Sequence, residues 1–99
     1  MLYMVISTHG PQTCPMAVPK AAEKMRYAME HMNEVTKKLN IKVNGNWVDA
    51  PAHIIYMLVD ANNAHDISRM TMELHLMEWN RVHINPVLTM TEVAKMVPS

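Results

Sequence analysis

Apolar and polar residues alternate at the start of the chain. Leu2, Met4, Ile6 and Thr8 fall on one face, and Tyr3, Val5, Ser7 and His9 on the other. That period of two predicts a strand over Leu2–His9. HGPQTCP then breaks the pattern: Gly10-Pro11 turns the chain, and Thr13 is placed to cap a helix. Ala21, Met25, Ala28, Met29, Met32, Val35 and Leu39 recur at helical spacing, with charged residues opposite and an end expected near Asn40. Ile41–Val48 reads as a second strand, with Asn44-Gly45-Asn46 marking a bulge or an edge. Asp49-Ala50-Pro51-Ala52 is a turn, and the nearly continuous apolar run His53–Asp60 predicts a central third strand.

Asn62 or Asn63 caps the next helix, which is expected to run to Asn80. Ile67, Met70, Leu74 and Met77 form its core stripe, and Met72, Leu76 and Trp79 a second apolar strip. Such a strip suits a partner surface. Val82–Met90 reads as a fourth strand that tolerates Pro86 only at an edge or bulge, and Thr91–Met96 adds a helical turn.

The order is βαββαβ, an α+β ferredoxin-like plan: an antiparallel four-stranded sheet ordered 4-1-3-2, with two helices on one face. The wholly apolar set Leu2, Met4 and Ile6 is expected under the helices, leaving Tyr3, Ser7 and His9 on the open face. Val82, Ile84 and Leu88 are likewise assigned to the helices, so His83 and Asn85 face out. His53 shares parity with Ile55, Met57 and Val59, which leaves its face undecided and puts Tyr56 on the open side if that set is covered.

Composition narrows the function classes. The chain has 99 residues, is 49% apolar and 18% charged, and carries no formal net charge, which fits one globular domain. Scattered Lys and Arg argue against nucleic acid, and no apolar run is long enough to span a membrane. The N-terminus lacks a basic leader pattern. The single cysteine, Cys14, excludes an internal disulfide and points to a reducing, cytoplasmic setting. Twelve methionines and no phenylalanine are read as core filling, with thioether copper binding as the alternative.

The topology carries the candidate chemistry. It brings His9, His53 and His83 to one edge of the sheet, with Asp49 closing the second strand there, Cys14 opening the following loop and Glu78 nearby. His9 and His83 are the primary expected metal ligands, and His53, Asp49 and Cys14 the secondary ones. Imidazole, carboxylate and thiolate donors suit nickel, copper, zinc or iron. Hydrogen-bonded strand-end imidazoles, or histidine acting as acid or base, stay open as alternatives. Cys14 at a helix N-terminus would be a stabilised thiolate. His75-x-x-Glu78 has helical ligand spacing, whereas His31 and His65 read as solvated. Nucleotide-binding, zinc-protease and α/β-hydrolase motifs are absent from the sequence.

GNWVDAPAHIIYMLVDANNA, followed by EWNRVHINPVLTMTEVAKM, resembles a group of small, functionally uncharacterised domains in the dimeric α+β-barrel superfamily of ferredoxin-like proteins. The resemblance spans about Leu2 to Met96. It implies a homodimer, or an assembly of dimers, whose open sheet faces enclose a lumen lined by residues such as Tyr3, Ser7, His9, His83 and Asn85. Relatives include cofactor-independent monooxygenases, haem-degrading enzymes, muconolactone isomerase-like proteins and small nickel-binding proteins. Haem-degrading members use an Asn on strand one, a Trp on the sheet and a His on helix two; here the first strand has no Asn, the third has no Trp, and only His75 loosely fits their histidine. The expected function is a small protein holding a transition metal or small ligand in a His-bearing pocket at one end of the sheet. An oxygenase or isomerase that orients an aromatic substrate with Tyr3 or Tyr56 is the alternative. An interaction module using the Met72–Leu76–Trp79 strip is the third.

Overall fold

A computed structural model describes residues 1–98. The strands are β1 (Leu2–Thr8), β2 (Lys42–Asp49), β3 (Ile54–Asp60) and β4 (Arg81–Pro86); the helices are α1 (Pro19–Lys38), α2 (Ala64–Glu73) and α3 (Met90–Met96). All neighbours in the sheet are antiparallel, in the order β2-β3-β1-β4. This is the expected ferredoxin-like arrangement, extended by α3. Among the described residues no helix is long and apolar enough to cross a membrane.

The expected bulge is present in β2, where the register against β3 shifts between Val43 and Gly45. A Cβ on Gly45 would lie 2.1 Å from Cη2 of Trp47, so only glycine lets the indole lie back along its own strand.

Cross-strand register decides which face is covered. Val5 lies opposite Met57 on one side and Ile84 on the other, and Tyr3 lies opposite Val59. These residues share a cluster with Ala28 and Val35 of α1 and with Ile67 and Met70 of α2. The helices therefore cover Tyr3, Val5 and Ser7, and the Leu2–Met4–Ile6 set lies on the uncovered face. This reverses the expectation for β1. Its alternation is apolar enough on both faces that the strand alone does not choose; the partners on β3 and β4 do. For β4 the expectation stands: Val82 and Ile84 pack against the core, while His83 and Asn85 are exposed opposite Ile6 and Met4.

Both long helices depart from their expected ends. Thr13 closes a short 3-10 turn, Pro11–Thr13, and α1 begins only at Pro19 after Val18. Cys14 is thus not at the helix N-terminus; its carbonyl accepts from Ala17 N and Val18 N in the connecting turn. Proline at the first helical position has no N–H to waste there. In α1, Met29 is exposed and does not join the core stripe.

In α2, Asn63 is the cap, accepting from Asp66 N at 2.9 Å. The helix stops at Glu73, and His75 adopts a left-handed conformation (φ 58°) before a second 3-10 turn, Leu76–Glu78. That break swings Leu76 and Trp79 into the core and turns Met77 out. The second apolar strip is consequently not a surface: of its members only Met72 is exposed. Ile67, Met70 and Leu74 are fully buried, each contributing about 1.5–3 kcal/mol by area.

β4 ends at Pro86, earlier than expected, and Leu88 is exposed. A reciprocal Thr89–Glu92 capping box then starts α3, none of whose residues is buried.

Candidate metal centre

The site is built one step beyond the regular ladders. β1 pairs Thr8 with Ile54 of β3 and with Arg81 of β4. Continuing both registers puts His9 opposite His53 and Asn80. The hydrogen bonds follow that placement. His9 N donates to the His53 carbonyl at 3.1 Å, and His9 Nδ1 lies 3.2 Å from Asn80 Oδ1. The Asn80 amide in turn donates through Nδ2 to the Leu76 carbonyl at 3.1 Å, which fixes its orientation.

His53 is outside β3, in a left-handed conformation (φ 58°) that histidine tolerates better than most residues. The β2–β3 turn holds it there. Asp49 Oδ1 accepts from Ala52 N at 3.2 Å, and His53 N donates to the Ala50 carbonyl at 3.2 Å. The two imidazoles then meet edge to face, with ring centres 5.1 Å apart.

Cys14 reaches the same place from the loop after β1. One ligand atom from each of His9, Cys14 and His53 lies within 4.8 Å of the other two. Cys14 is buried, and the histidines are half-buried. They line a pocket of about 120 Å³ whose other walls include Met16, Met25 and Ile55. His53 Nδ1 is buried with no hydrogen-bond partner. Burial depresses the His9 pKa below its ordinary 6.5, outweighing the bond to Asn80, and the neighbouring His53 lowers it further. His9 therefore stays neutral at pH 7, the state in which an imidazole offers a lone pair.

Of the expected ligands, the structure brings His9, His53 and Cys14 together. His83 lies on the opposite face of the sheet, across from Ile6, and does not join them. Asp49 closes β2 at this end, but its exposed carboxylate is engaged with the Ala52 amide and is outside the group. Nor do the tyrosines join. Tyr3 is buried at the far end of β1 with its hydroxyl 3.3 Å from Met1 Sδ, and Tyr56 lies on the uncovered face, opposite Ile6 and Trp47. Ser7 is on the covered face and Asn85 on the uncovered one, so they do not share a lumen within one chain.

Asn80 was not singled out from sequence. Its signal is the β1–β4 register, which pairing fixes and spacing alone does not.

A family model matches the chain over residues 1–99. The chain belongs to the DUF3303 family. Its description is a domain of unknown function, so membership in DUF3303 carries no chemistry of its own. No curated protein matches this DUF3303 chain.

Proposed function

We propose that this DUF3303 domain is a binding protein for a transition metal ion, held by His9, Cys14 and His53 at one end of the sheet. The observation that carries the reading is the mutual approach of a thiol and two imidazoles to within 4.8 Å, two of them from the stretch that ends β1 and the third from the distant β2–β3 turn. Two features support it: a neutral His9, and a His53 nitrogen with no partner inside the protein. Thiolate and imidazole donors both suit copper and zinc, which makes these the first ions to try. With three protein ligands, a bound metal would keep a coordination position for water or a small ligand. Reconstitution with zinc or copper, followed by gel filtration and elemental analysis, tests the site. Near-stoichiometric metal that His9→Ala/His53→Ala loses and His83→Ala keeps is expected. Metal absent from the wild type, or retained by the double variant, contradicts the reading.

The same reading includes a homodimer through the uncovered sheet face. Leu2, Met4, Ile6, Tyr56 and Leu58 lie there, opposite the face packed by α1 and α2, and Trp47 is 55% exposed beside them. A sheet apolar on both faces is the pattern of one covered on both. Sedimentation of the wild type as a dimer and of Tyr56→Lys as a monomer is expected; a monomeric wild type rules this assembly out.

A further inference from the structure

A second pocket, of about 220 Å³, lies between α1 and the covered face of the sheet. It shares Met25, Val48 and Ile55 with the His9–Cys14–His53 pocket, so the two adjoin. Four thioethers line it: Met25, Met29 and Met32 from α1, and Met57 from β3. Ser7 and Asn46 place a hydroxyl and a carboxamide in this otherwise apolar wall. Trp79 forms another part of the wall, 96% buried, and its indole Nε1 has no hydrogen-bond partner.

We propose that this pocket binds a small aromatic molecule of one or two rings that carries one hydrogen-bonding group. The size follows from comparison: an apolar cavity of about 150 Å³ admits benzene. The aromatic character follows from the methionines, since thioether sulfur packs favourably against ring edges and its flexible chain reshapes around a planar guest. Ser7 and Asn46 meet the polar group. This proposal goes beyond the metal reading and does not depend on it.

2-Naphthol is a suitable probe, followed by ¹⁵N–¹H spectra of the whole chain. The two tryptophans report on different places: Trp79 lines the pocket, whereas Trp47 lies on the uncovered sheet face. Saturable shifts of the Trp79 indole signal, with Trp47 unmoved, are expected. Ala28→Leu fills the pocket from α1, where Ala28 is buried, and is expected to weaken binding about tenfold or more. Met29→Glu puts a charge on the exposed rim without touching the core, so it supplies the same comparison if Ala28→Leu does not fold. Cys14→Ser leaves naphthol binding in place, which separates this site from the metal site. Absence of saturable binding overturns the proposal. So do shifts confined to Trp47, or an affinity that neither pocket variant changes.

Discussion

Histidines gather at two places in this molecule, and the two places differ in what already holds the imidazoles. At the sheet end, His9 and His53 face each other beside a buried thiol, with one ring nitrogen unpartnered and His9 held neutral. Where α1 meets the break after α2, His75 and His31 flank Tyr27, with ring centres 4.9 and 4.0 Å away, and His31 Nδ1 is also buried without a hydrogen-bond partner. There His75 Nδ1 is bonded to Glu78, whose other oxygen lies 3.2 Å from Lys24 Nζ. The difference is one of commitment. An imidazole bonded to a carboxylate in water already has a partner, and a cation must displace it. One turned inward next to a thiol has lone pairs to give and little water to compete.

The largest expected effects test whether the inner cluster is part of the fold and the outer one an addition to its surface. Trp79, whose ring centre is 5.3 Å from that of His9, is 4% exposed, and Trp79→Ala should cost about 3–5 kcal/mol in urea denaturation. Tyr27→Ala, at a surface position, should cost about 0.5 kcal/mol or less by the same assay. Equal losses would erase the distinction.

Acid should separate the clusters by pH window. His9 has a depressed pKa in the fold, so the unfolded chain binds protons first. Its contribution is present above pH 6.5 and declines as pH falls from there toward the lowered value. Glu78 is also depressed, first by the bond to His75 and then by Lys24, so its contribution persists to lower pH and declines as pH falls from 4.5. Melting temperature followed against pH should lose the upper step in His9→Asn and the lower one in Glu78→Gln. The smallest effect is that of Lys24→Ala. Its ion pair is solvent-exposed and screened, and its removal should leave the urea midpoint almost unchanged, with any residual shift lost in high salt.

Much of the fold was legible in the sequence. The helical stripe of α1, the bulge beside Gly45 and the Asn63 cap leave local signatures, and their order dictates the sheet. The covered face of β1 was not legible, because Leu2, Met4 and Ile6 are more apolar than Tyr3, Val5 and Ser7, yet pairing with β3 and β4 places the second set under the helices. That single inversion moved His9 away from His83 and toward His53. The break at His75 was equally hidden. A left-handed residue in a helical pattern has no periodic signal, and it changed Leu76 and Trp79 from a candidate surface into core. Edge convergence of His9, His53 and Cys14 came from topology alone; which of the edge residues meet depended on register.

Cobalt(II) titration of the apo-protein tests the inner cluster most directly, because thiolate-to-cobalt charge transfer reports on Cys14 itself. Saturable thiolate bands with tetrahedral-type d–d absorption are predicted for the wild type. They should persist in His75→Ala and His83→Ala and vanish in Cys14→Ser. A wild-type spectrum without thiolate bands, or one that Cys14→Ser leaves unchanged, would contradict the assignment of the metal to His9, Cys14 and His53.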